Sequence, residues 1–143
     1  MNIELLQNIV DYGIIGILIF MSFLSIWFYI ERLLFFKDLK LSNYKDKELL
    51  EIEITKHITI ISSNASNAPY IGLLGTVFGI ILTFYTMGIS ENIDVKMIMS
   101  SLALALKATA MGLIVAIPSM IFYNHLTRKI EVLVALWEVE KKR

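Results

Sequence analysis

Three long apolar runs dominate the chain, separated by segments where charges gather. Residues 13–30 read GIIGILIFMSFLSIWFYI without a charge. As a helix they extend about 27 Å, close to the roughly 30 Å of a bilayer's hydrocarbon core. Residues 69–89, PYIGLLGTVFGIILTFYTMGI, are again uncharged and give about 32 Å. Residues 98–123 are interrupted only by Lys107 and reach about 39 Å, enough to cross and project beyond the bilayer. The pattern predicts an all-α integral membrane protein with three transmembrane helices, at 13–35, 69–89 and 97–124. Pro118 falls inside the third and is expected to kink it.

The polar segments give these spans an orientation. After the first run come Arg32, Lys37, Lys40, Lys45, Lys47 and Lys56, whereas the turn between the second and third holds Lys96 against Glu91 and Asp94. The positive-inside rule then places 36–68 and the tail 125–143 in the cytoplasm, and 1–12 and 90–96 on the opposite, periplasmic side. Residues 1–12 carry Glu4 and Asp11 but no lysine or arginine, so they lack the basic start of a cleavable signal peptide and the first span is expected to stay.

Outside the spans, 41–61 mixes apolar and charged residues as a short amphipathic helix would. The run SSNASNA reads as a turn before Pro69 opens the second span. Beyond Tyr123, residues Leu126, Ile130, Leu133 and Leu136/Trp137 keep helical spacing, so the third helix is expected to continue as a cytoplasmic C-terminal helix. Its apolar stripe predicts a partner, a neighbouring subunit.

Composition agrees with the pattern: 57% of residues are hydrophobic and 18% charged, with mean hydropathy +0.69, far to the apolar side of soluble domains. Net charge is zero, which gives no reason to expect nucleic acid. The chain has no cysteine, which excludes disulfides and thiolate chemistry. Two distant histidines, His57 and His125, do not suggest a metal centre. No nucleophile with a base, ligand set or phosphate loop can be assembled, so neither an enzyme nor a bound cofactor is expected.

Two faces carry chemical information. In the second span Gly72, Thr76, Gly79 and Thr83 recur at helical spacing, with Gly75 and Gly79 forming a GxxxG pair beside them. In the third, Ser101, Ala105, Thr109, Gly112, Ala116 and Ser119 line a matching strip. Small residues of this kind let helices approach closely. Hydroxyls facing one another in mid-membrane also suit a narrow polar path, which makes Thr76 and Thr109, with Thr83, candidates for pore lining. Threonine does not titrate, so a proton carrier must come from a partner. Lys107 is the one charge inside a span and sits about 200° around the helix from Thr109. It either snorkels toward the surface or pairs with a carboxylate of another chain, since none lies within residues 13–30, 69–89 or 98–123.

The stretches APYIGLLGTVFGIILTFYTMG and SLALALKATAMGLIVAIPSMIFYNHLTRKIE resemble the core of the ExbB/TolQ/MotA proton-channel family, and its ExbB branch most of all. The likeness covers residues 65–131, and the first span ending in ERLLFF fits it too. The resemblance implies a homopentamer in the bacterial inner membrane, surrounded by lipid and enclosing the single spans of an ExbD-like partner. That partner's membrane aspartate would shuttle protons, and the complex would drive a TonB-like protein to energise outer-membrane uptake of iron siderophores or other nutrients. It maps the family's pore threonines onto Thr76 and Thr109, and the membrane glutamate of enteric members onto Leu104, which leaves the partner's aspartate as carrier. The segment between spans one and two is short for the family. The alternatives are a TolQ-like subunit serving envelope integrity and a passive helix-packing scaffold.

Overall fold

The computed structural model describes residues 2–143. Helix α1 (Ile3–Asp38) is followed by a 3-10 turn at Leu41–Asn43, then α2 (Lys47–Ile54), α3 (Ile58–Ile89) and α4 (Val95–Lys141), with no strand among the described residues. α1, α3 and α4 are each long and apolar enough to cross a membrane, so the chain is an all-α multi-pass membrane protein. The 47 residues of α4 make it about 70 Å long, more than twice what a span needs.

Local chemistry sets the ends. Asn2 caps α1 by accepting from Leu5 N (3.5 Å), and Asp94 caps α4 by accepting from Lys96 N (3.0 Å). Between α2 and α3 the backbone turns at His57, whose φ of 67° is a left-handed conformation that histidine adopts more readily than bulkier residues. Its ring lies stacked on Phe28 of α1, with centroids 4.5 Å apart.

The expected turn at SSNASNA is instead the second and third turns of α3, and Pro69 lies inside that helix rather than at its start. The reason is packing. Ile61, Asn64, Ala65 and Ala68 are buried and extend the face of Gly72 at helical spacing, so small residues here bring α3 against α1. Asn64 Nδ2 donates to Met21 O (2.8 Å) and Ser25 Oγ (2.9 Å). On α4, the Ser119 hydroxyl bonds Val115 O (2.8 Å) and stands 2.9 Å from Ser25 Oγ. Three buried polar side chains thus join all three long helices, and no buried side-chain polar atom among the described residues is left without a partner.

On either side of this junction lie two apolar clusters. One, in the bundle, gathers Ile14, Leu18, Met21, Ala68, Val115 and Ala116. The other, at the α2 end, gathers Phe36, Leu50, Ile54, Ile58, Ile61, Leu126 and Trp137, with Ile130 and Leu133 packed on it. Much of the apolar stripe on the last part of α4 is therefore covered by the chain's own α1, α2 and α3, with Leu126 and Trp137 buried, Ile130 and Leu133 half-buried and Leu136 exposed. The chain covers it because segment 41–54 runs back beside α4, held by Trp137 Nε1 donating to Tyr44 O (3.0 Å) and by Lys47 paired with Glu138 (2.5 Å).

Arg32 locks that end. It is 2% exposed, grips the Glu31 carboxylate with Nε (2.7 Å) and Nη2 (2.6 Å), and donates from Nη1 to Glu53 O (2.7 Å). Glu53 O is one of the terminal carbonyls of α2 that the helix cannot satisfy itself, so the guanidinium acts as its cap.

Candidate functional site

The small faces of α3 and α4 pack on each other. At the crossing, Gly72 meets Gly112: a β-carbon built on Gly72 would lie 2.6 Å from Ala108 O and 3.0 Å from Gly112 Cα, and one on Gly112 would lie 2.6 Å from Ala68 O. On Gly79 it would meet Ala105 Cβ at 2.7 Å, and on Gly75 Ala108 Cβ at 2.8 Å. Backbone touches backbone here, as small-residue positions in membrane helices permit.

That approach brings the two mid-span threonines together. Thr76, 6% exposed, donates from Oγ1 to Ala105 O across the interface (2.9 Å), with its own Gly72 O farther away at 3.4 Å. Thr109 Oγ1 is in hydrogen-bond contact with Thr76 Oγ1. A hydroxyl has one proton. With that of Thr76 committed to Ala105 O, Thr109 donates to Thr76, and its own oxygen keeps acceptor capacity on the half-buried side of the helix. The chain of donors from Thr109 through Thr76 to a carbonyl polarises each member in the same direction.

The other predicted residues divide. Thr83 is buried and bonds its own Gly79 O (2.8 Å). Thr83 also edges a cleft of about 490 Å³ at the α3–α4 turn that includes Glu4 and Asp94. Ala105, Gly112, Ala116 and Ser119 are buried, whereas Ser101 is half-exposed. α4 runs on as helix through Pro118. Lys107 is exposed and stands apart from the threonine pair, lining a different, small cleft that Asp11 of α1 also lines. Asp11 lies on α1 because that helix starts at Ile3, ahead of the apolar run that begins at Gly13. Helical spacing places Ser119 on the small strip but does not reveal its junction with Ser25 and Asn64, whose signal is polar side chains, Ser25 in an apolar span and Asn64 before the second one.

No group of three or more metal-ligating side chains occurs among the described residues. The arrangement offers hydrogen-bond acceptance and close helix packing.

Residues 29–139 match the MotA/TolQ/ExbB proton channel family. The biopolymer transport protein ExbB of Aquifex aeolicus is 54% identical over 135 residues, covering 94% of this chain and 91% of that protein. Helicobacter pylori ExbB is 47% identical over 140 residues, covering 98% and 97%. The Tol-Pal system protein TolQ of Haemophilus influenzae is 38% identical over 81 residues, covering 56% of this chain and 36% of that protein.

Proposed function

Since this chain belongs to the MotA/TolQ/ExbB proton channel family, we propose that it is an ExbB-like subunit of a proton-motive-force-driven complex in the bacterial inner membrane. Five copies would enclose the single spans of an ExbD-like partner, and the energised complex would act through a TonB-like protein on outer-membrane uptake. The N-terminus faces the periplasm and the α2 end the cytoplasm. Identity of 54% and 47% over nearly the whole length of the ExbB proteins of Aquifex aeolicus and Helicobacter pylori supports the ExbB role over envelope maintenance.

The observation that carries the proposal is the threonine pair. A protonated partner carboxyl reaching the open side of Thr109 finds an acceptor already polarised by Thr76 and Ala105 O, and an ionised carboxylate finds a donor if the Thr109 proton swings outward. The hydroxyl thus stabilises both forms of a carrier without titrating. Thr109→Val keeps the shape and removes the hydroxyl. Proton flux in vesicles holding this chain with its co-encoded partner should fall about tenfold, the effect of one hydrogen bond of ~1.4 kcal/mol, with the complex still assembled. Unchanged flux would remove Thr109 from the pathway. Flux that also ignores an Asp→Asn change in the partner would favour the passive scaffold.

A further inference from the structure

We propose that Asp11 of α1 is the counter-ion of Lys107 of α4, the two forming a water-bridged charge pair inside the membrane part of a single subunit. Both residues line one cleft of about 100 Å³, and they are the only ionisable groups on its walls. Gly75 of α3 forms its floor. A β-carbon there would press on Ala108 Cβ at 2.8 Å and on Ile14 Cγ2 at 3.1 Å, so glycine fixes how α1, α3 and α4 meet at the cleft.

Depth argues that both charges need compensation. Asp11 is about 12 Å along α1 from Ile3, and Lys107 about 18 Å along α4 from Val95. Leu5, Ile9 and Tyr12 on α1 are 58%, 59% and 74% exposed, an apolar surface suited to lipid that begins before Asp11 is reached. On α4, Met97 and Met99 are as exposed, and Leu104 and Leu106 flank Lys107 in the same way. Asp11 is half-buried, and Lys107 is exposed, with a stem long enough to turn its ammonium toward the cleft that both residues line. A lone charge at such depth is strongly disfavoured, and ionisable groups there face the bundle interior and pair.

The pair is not a direct contact. Among the described residues the ion pairs are Glu31–Arg32, Lys47–Glu138 and Arg128–Glu131. The cleft has room for water, and its two charged walls supply the polar partners that bridging waters require. The positive charge of Lys107 is thereby neutralised within its own subunit.

A double-mutant cycle tests this on the full chain in lipid nanodiscs, with the thermal unfolding midpoint as readout. Asp11→Asn and Lys107→Met should each lower the midpoint by about 5 °C. The double variant should return to within about 2 °C of the unmodified chain, and the exchanged pair Asp11→Lys/Lys107→Asp should be rescued as well. Losses that simply add, or an Asp11→Asn variant with an unchanged midpoint, would overturn the pairing. Where single variants leave no folded protein, recovery of folded protein in the double and exchanged variants supports the pair, and failure of both overturns it. The measurement needs neither partner nor proton flux, so it stands or falls separately from the proposed function.

Discussion

The crossing of α3 and α4 and the cluster at the α2 end are both well packed, by opposite means. At the crossing, Gly72, Gly79, Ala105 and Gly112 contribute almost no side chain, and backbones come together until a single β-carbon would not fit. At the α2 end, Leu50, Ile54, Ile61 and Leu126 are 0% exposed beneath Phe36 and Trp137. The contrast follows from the surrounding solvent. In lipid, moving a leucine from tails to a helix interface gains little, so association relies on close approach and hydrogen bonds such as Thr76 to Ala105 O. In water, burial of bulky apolar surface is itself the driving force. Steric fit therefore dominates one region and buried area the other.

The largest expected effect is at the crossing. Gly112→Ala places a β-carbon 2.6 Å from Ala68 O, a backbone atom that no rotamer change can move. The helices must separate, which also stretches the Thr76 bond. We expect a loss of about 3 kcal/mol, at the upper end for an added methyl group, measured by unfolding in a bilayer mimic. Gly16→Ala, with nothing within 4 Å of the new atom, should be neutral or stabilising by about 0.5 kcal/mol. Equal effects of the two would break the distinction between packed and open glycines.

An intermediate effect belongs to Arg32, where a charge supports the second region. Arg32→Met keeps much of the stem over Phe35, whose ring lies 4.3 Å from the guanidinium carbon, but abandons Glu53 O and the Glu31 carboxylate. Leaving these groups without their donor costs about 2 kcal/mol. The damage should be local: limited proteolysis should speed up within residues 39–57 while the α3–α4 crossing stays protected. Simultaneous loss of protection in both regions would show that they do not behave as separate units.

Sequence patterning locates the three membrane helices because uncharged runs of bilayer length have few other uses, and helical spacing alone puts Thr76 and Thr109, which are in contact, on the small faces of their helices. It failed where a tertiary contact reversed a local preference. Ser62, Ser63, Asn64, Ser66 and Asn67 favour turns in isolation, yet Asn64 finds Met21 O and Ser25 on another helix and the segment stays helical. Asp11 lies before the uncharged run because a charge ends that run, yet it sits within α1, and exposed apolar residues continue on both sides of it. The stripe on α4 was correctly apolar, but spacing alone cannot say whether its cover is the chain's own α2 or another copy.

The smallest effect concerns Lys47 and Glu138, the ion pair on the outside of the α2-end cluster. Hydrogen bonding to Lys47 holds the Glu138 carboxyl below its ordinary value, and the same bond raises the Lys47 ammonium above its own. The depressed carboxyl means a contribution present at neutral pH and lost as pH falls through the lowered value; the raised ammonium means one lost only as pH climbs past the usual lysine range. Between roughly pH 5 and 10 the pair is therefore constant. Both side chains are more than 40% exposed, so water and salt screen the attraction and ordering two long side chains offsets much of it. Glu138→Gln should shift the unfolding midpoint by about 1 °C at low salt, with the shift vanishing near 0.5 M salt and shrinking as pH falls below the ordinary carboxylate range. The Trp137 bond to Tyr44 O and the buried leucines keep segment 41–54 on α4 without it. A drop as large as that of Arg32→Met would mean that surface charge, rather than buried area, holds this end of the molecule together.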